Sequence, residues 1–150
     1  MKARASIIVQ RNNQYLLTLE QRGVWLLPGG KIGRTEEPEA AAIRELKEET
    51  SLDIDEIEYL FCYENPKNVH HVFKAKVPDS AEPTANQEIV EVNWFSWEEI
   101  LQLNTSRATL KILHSHIERD TRFSGMFSFS SIWQQIDKLL HRLSSKTSSV

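Results

Sequence analysis

A single cysteine, Cys62, among 150 residues excludes an internal disulfide and leaves no cysteine set for a structural zinc. No apolar run approaches the ~18–20 residues needed to cross a bilayer. The opening Met1-Lys2-Ala3-Arg4-Ala5 lacks the apolar stretch and cleavage site of a secretory leader, so a cytoplasmic location is expected. Neither sign of charge is in large excess. A net charge of −3 gives no reason to expect long nucleic acid or an anionic membrane as a partner. No internal repeat is visible.

What is present is the composition of an ordinary globular chain, 40% hydrophobic and 26% charged. A chain of this length buries roughly 70% of its unfolded surface, enough for one core without staples. A single domain is expected over residues 1–143, with the Ser/Thr-rich residues 144–150 as a frayed tail. Cys62, inside the apolar run Tyr59-Leu60-Phe61-Cys62-Tyr63, is expected to pack in that core. The acids are concentrated. Residues 36–58 carry Glu36, Glu37, Glu39, Glu45, Glu48, Glu49, Asp53, Asp55, Glu56 and Glu58 against only Arg44 and Lys47.

Residues 3–10 and 14–20 read as strands around the turn Arg11-Asn12-Asn13. A third run, Val24-Trp25-Leu26-Leu27, is expected to stop pairing at Pro28-Gly29-Gly30. Pro38, Glu39 and the alanines behind them start a helix that runs through Glu49. Residues 56–64 and 69–77 suggest a hairpin, and a polar loop at 78–86 leads to a strand near 87–95. Ser96 and Glu99 form a capping-box pattern for a helix at 97–103. Leu110, Leu113 and Ile117 mark another helix, and Ile132, Ile136, Leu139, Leu140 and Leu143 a last one, with a loop expected from Arg119 to Ser131. Hairpins mixed with intermittent helices favour an α/β sandwich with a mixed sheet and C-terminal amphipathic helices over a doubly wound parallel sheet.

At about 100° per residue, Glu45, Glu48 and Glu49 share one helix face, while Ala42, Ile43 and Leu46 point to another, expected to meet the core. Like charges at these spacings repel by a few tenths of a kcal/mol per pair, and Lys47 lies elsewhere. A hard divalent cation such as Mg²⁺ or Mn²⁺, which takes carboxylate oxygens together with substrate phosphates, would relieve them. On the helix charges alone, a solvated acidic face is the more ordinary reading.

The flanking residues change the balance. Gly30, Glu36 and Arg44-Glu45-Leu46-Lys47-Glu48-Glu49-Thr50-Ser51-Leu52, at these spacings, resemble the signature box of the Nudix hydrolases. Trp25-Leu26-Leu27-Pro28-Gly29-Gly30 before the box and Trp94-Phe95-Ser96 after it agree with that family. Ser51 departs from it, since glycine is usual there; a left-handed cap at a non-glycine residue costs about 1 kcal/mol.

The resemblance implies a Nudix-type α/β/α sandwich and hydrolysis of a diphosphate linkage in a small nucleotide-like substrate, such as a nucleoside triphosphate or a nucleoside diphosphate derivative. It implies Glu45, Glu48 and Glu49 as ligands of Mg²⁺ or Mn²⁺, with the Gly29 carbonyl as a further oxygen. Gly30, Glu36 and Arg44 would brace the box. The general base would be Glu88, six residues before Trp94, with Glu91 second, or a box glutamate, Glu48 or Glu49. Lys31, Arg22 and Arg4 are candidates to grip phosphates. Trp25 could stack on a base but reads more readily as core. His70 and His71, adjacent on a strand, face opposite ways. A homodimer is compatible with the C-terminal helices. The competing reading is a catalytically inactive Nudix-fold nucleotide-binding or regulatory module, which retention of all three box glutamates disfavours.

Overall fold

The structure, a computed structural model, describes residues 1–124, 134 and 136–142. Strands β1 (Lys2–Arg11) and β2 (Gln14–Glu20) form the first hairpin, turned at Asn12 with φ 53°. Asparagine is among the few residues that visit the left-handed region readily. Strands β3 (Trp25–Leu26) and β4 (Gly29–Lys31) follow, then helix α1 (Pro38–Thr50). The antiparallel pair β5 (Ile57–Glu64) and β6 (Asn68–Ala75) leads to β7 (Ile89–Ser96), α2 (Trp97–Ile100) and α3 (Arg107–Ser124).

The strands form one mixed sheet in the order β3-β2-β1-β6-β5, with β4 also on β1 and β7 also on β2. Among the strand pairs of the described residues β1 and β6 alone run parallel, from Lys2 opposite Asn68 to Val9 opposite Ala75. A parallel partner cannot be reached by a tight turn, and here the crossover includes α1.

Alternation along the strands builds two cores. On one face Ala5, Ile7, Val9, Leu16 and Phe73 meet Ala41, Ala42 and Leu46 of α1. On the other, Ile8, Tyr15, Leu17 and Val72 meet Trp97 and Ile100 of α2 and Leu110, Ile112 and Leu113 of α3. The period of two in the strands thus supplies both faces of an α/β/α sandwich, as expected. Trp25 is a core residue, its ring edge-on to Phe95 with centroids 4.8 Å apart. Among the described residues no helix is long and apolar enough to cross a membrane.

The structure differs from the sequence-based expectations in several places. Pro28-Gly29-Gly30 does not end strand pairing, because Gly29 and Gly30 form β4 against Ser6 and Ala5 of β1. Gly29 has φ 147°, and a Cβ there would collide with the Ala5 carbonyl, so the glycines permit a close backbone approach. Cys62 is exposed, not buried. It lies on β5 at the sheet edge, and an irregularity between Tyr59 and Phe61 turns Phe61 inward and Cys62 out.

The helix starting at Trp97 stops at Ile100 rather than 103, and α3 continues to Ser124, through part of the loop expected from Arg119. Beyond that, residues 136–142 are helical, with Ile136 buried and Leu139 and Leu140 against the core. Ile132, Leu143, most of the expected loop and the expected tail at 144–150 lie outside the described residues.

Candidate active site

Helix α1 is oriented by its small side. Ala41, Ala42, Leu46 and Thr50 are buried, whereas Ile43, expected among the core residues, is only half-buried. Alanines rather than a branched side chain let the helix lie close to β1. That rotation turns Glu45, Glu48 and Glu49 toward an open cleft of about 480 Å³. Its other walls are Glu20, Gln21 and Arg22 at the end of β2 and Gln87, Glu88 and Ile89 at the start of β7. Strands β2 and β7 shift register between Leu19 and Glu20, a bulge at the cleft edge where side chains are re-aimed.

The loop before the helix is fitted to it. A Cβ on Gly30 would overlap the Glu45 carboxyl group, so the missing side chain makes the room that Glu45 occupies. The Gly29 N–H donates to Glu49 Oε2 at 3.1 Å. Arg44 spans the remainder. Its Nε and Nη2 donate to the two oxygens of Glu36 at 2.7 and 3.0 Å, a bidentate pair. Its Nη1 donates to Glu45 at 2.9 Å and Glu48 at 3.1 Å, and Nη2 also reaches the Lys31 carbonyl at 3.2 Å. Glu36 further accepts from the Gly33 N–H at 2.9 Å. The Arg44 bonds first and the Gly33 bond second pull the Glu36 carboxyl down to about 2, and the same pairing keeps Arg44 charged.

Glu49 is the opposite case. Burial, with the neighbouring Glu45 charge adding to it, pushes its carboxyl up to about 8 against the Gly29 N–H and the Arg4 charge. An isolated charge there is costly, and a cation would relieve the cost. The donor set of three carboxylates, one of them seated against Gly30, fits a hard divalent ion. Among the described residues no three such side chains already stand at the spacing of a metal cage. Arg44 holds Glu45 and Glu48, so a cation would compete with its guanidinium for them.

The site residues expected from sequence do not all come together. Glu45, Glu48, Glu49, Glu88 and Arg22 line the cleft together. Arg22 is 82% exposed and paired with Glu20 at 2.9 Å. Arg4 lies on the α3 side of the sheet, lining a cavity of about 40 Å³ with Ser6, Leu26, His70 and Thr109. Lys31 lines a third groove, with Lys2, Arg34 and Arg44. Glu91 pairs with Leu19 along β7 and is not among the cleft residues. Glu20, Gln21 and Gln87 belong to the cleft and were not expected from sequence. Nothing in the sequence marks Glu20 or Gln21, though Gln87 adjoins Glu88.

Ser51, the departure from the family pattern, is a left-handed cap with φ 61° and ψ 9°, its N–H donating to the Lys47 carbonyl. Its hydroxyl approaches the Thr84 carbonyl at 3.5 Å. The Thr84 N–H donates to the Thr50 carbonyl and the Asn86 N–H to that of Glu49, at 2.9 and 3.2 Å. The segment that brings Glu88 to the cleft therefore hangs from the C-terminal end of the glutamate helix.

The family model of the NUDIX domain matches residues 1–115. A Bacillus subtilis (strain 168) protein provisionally named an 8-oxo-dGTP diphosphatase is 29% identical over 96 residues, 61% of this chain and 64% of its own length. The chain thus spans slightly less than two thirds of that curated relative. The CTP pyrophosphohydrolase of Escherichia coli (strain K12) is 28% identical over 115 residues, 72% of this chain and 85% of its own length. A crystal structure of a protein assigned to the nudix hydrolase family from Chromobacterium violaceum superimposes with a TM-score of 0.69 at 26% identity, covering 99% of this chain and 95% of that one.

Proposed function

The chain belongs to the NUDIX family, and from that premise we propose that it hydrolyses the diphosphate linkage of a small nucleotide-like substrate with Mg²⁺ or Mn²⁺. The observation that carries this reading is the single cleft in which Glu45, Glu48 and Glu49 of α1 meet Glu88 and Arg22 from other elements. The names of the two curated relatives, an 8-oxo-dGTP diphosphatase and a CTP pyrophosphohydrolase, favour nucleoside triphosphates within that class.

Hydrolysis needs a water directed at phosphorus, a group to take its proton and compensation for the charge on the phosphate oxygens. Glu45, Glu48 and Glu49, with the Gly29 carbonyl as a further oxygen, would hold the cation. Once bound, it supplies charge compensation and a more acidic water. The protein's own residues do the rest. Arg44 and Glu36 keep the loop and helix in register, and Gly30 leaves the carboxylates room. A carboxylate oxygen of Glu88 accepts the proton of the attacking water, with Glu48 or Glu49 as the alternative base. Arg22 at the cleft mouth, and Arg4 and Lys31 from the neighbouring grooves, add positive potential for the phosphates. No observation supports the alternative of an inactive nucleotide-binding module, since all three box glutamates are retained.

The test is incubation of the protein with Mg²⁺ and a panel of nucleoside triphosphates, nucleotide sugars, ADP-ribose and dinucleoside polyphosphates, with products resolved by chromatography. Metal-dependent cleavage at a diphosphate is expected for at least one member. Binding of nucleotides without cleavage of any would favour the inactive module.

A further inference from the structure

The segment from Thr84 to Ile89 carries a second functional signal besides Glu88. The Asn86 carbonyl accepts from the Ile89 N–H at 3.2 Å, closing a turn with Gln87 and Glu88 at its two central positions. Gln87 has φ 57°. A left-handed residue at the first central position of such a turn is ordinarily glycine, sometimes asparagine or aspartate, because other side chains meet the backbone there.

Glutamine is therefore a costly choice at position 87. The surroundings hold it in place: Asn86 is bonded through its N–H to Glu49, through its carbonyl to Ile89, and through Oδ1 to the Gln87 N–H at 2.9 Å. Gln87 so placed is one of the residues that line the cleft with Glu45, Glu48, Glu49 and Glu88. Its side chain is uncharged and carries both a donor and an acceptor. Strain maintained at a cleft by its surroundings is a pointer to function.

We propose that Gln87 contacts the substrate, its carboxamide bonding an uncharged polar edge, a sugar hydroxyl or a base, next to the diphosphate. Phosphate is the poorer match, because this wall of the cleft is already acidic and a neutral amide adds no charge to offset it. The proposal rests on the nucleotide-hydrolase reading for its substrate class, but its test does not require turnover.

The experiment compares wild type, Gln87→Gly and Gln87→Asn. Binding of the α,β-methylene analogues of ADP, GDP, CDP and UDP is followed by calorimetry with Mg²⁺ present, and melting temperature is recorded alongside. Glycine removes the strain with the side chain, so Gln87→Gly should melt at or above wild type while its affinity for whichever analogue binds falls about fivefold, the loss of one hydrogen bond. Asparagine tolerates the left-handed backbone and keeps the amide, so Gln87→Asn should bind within about twofold of wild type. Equal affinity of Gln87→Gly and wild type overturns the proposal, as does a wild type that binds none of the four analogues. A lower melting temperature for Gln87→Gly overturns the strain argument behind it. Binding that depends on Gln87 in a protein that hydrolyses nothing would defeat the hydrolase reading and leave this one standing.

Discussion

Gly29 and Gly30 are adjacent, yet replacing each by alanine should have different consequences. At Gly29 the new Cβ meets the carbonyl of Ala5, backbone of a buried strand, at a φ of 147°. Neither atom can swing away. Backbone strain of about 1–3 kcal/mol and overpacking of similar size combine to a loss of about 2–6 kcal/mol in unfolding free energy. At Gly30 the atoms nearest the new Cβ are the carboxyl end of Glu45, a flexible group that can be pushed aside at the expense of its 2.9 Å pair with Arg44. The loss there should be about 1–2 kcal/mol. Urea unfolding at neutral pH measures both, and a Mn²⁺ titration followed by electron paramagnetic resonance measures the cation. Gly30→Ala should keep most of its stability and bind Mn²⁺ about 10–100-fold more weakly, the range seen when the support of a metal ligand is lost. Wild-type Mn²⁺ affinity in Gly30→Ala would refute the role given to Glu45. Equal destabilisation by the two substitutions would refute the packing argument.

Ser51→Gly should raise the unfolding free energy by about 1 kcal/mol by relieving the left-handed cap at φ 61°; a lower urea midpoint would mean that the hydroxyl's contact with Thr84 outweighs the strain. His70 is buried with Nδ1 bonded to Ser6 Oγ at 2.9 Å, and burial first, then the Arg4 charge, lower its pKa from 6.5 to about 4. The folded state then stays neutral where the unfolded state takes up a proton, so His70 erodes stability as pH falls from 6.5 to about 4. At about 1.4 kcal/mol per pKa unit the loss is bounded at about 3–4 kcal/mol. His70→Gln should flatten the unfolding free energy across that window, and an unchanged pH profile would count against the burial argument. Glu88→Gln should lower kcat by more than about tenfold, and a smaller loss would assign the base to a box glutamate.

Much of the fold was legible because the local signals were strong. The apolar runs Ile7-Ile8-Val9 and Tyr15-Leu16-Leu17 on either side of an asparagine turn, proline at the first turn of α1 and the Ser96–Glu99 box each led to an element that is present. What failed depended on distant contacts. Pro28-Gly29-Gly30 looked like a stop, and only the carbonyl of Ala5 shows why glycines are needed to pair there. Cys62 looked like core because an apolar run does not announce that it lies on an edge strand with a shifted register. The candidate site divides in the same way. Glu45, Glu48 and Glu49 share a helix face by spacing alone, whereas Glu20 and Gln87 reach the cleft through a bulge and a tethered turn that no local pattern specifies.

The central claim is that the carboxylates of α1 hold a cation needed to cleave a diphosphate. The most direct measurement is the rate constant kcat of Glu48→Gln and Glu49→Gln on whichever panel substrate the wild type cleaves, with Mn²⁺ affinity and circular dichroism on the same samples. Both variants should fold as the wild type does, bind Mn²⁺ more weakly and lose more than about a hundredfold in rate, the scale of an essential electrostatic group. Folded variants with wild-type rate and wild-type Mn²⁺ affinity would contradict the account.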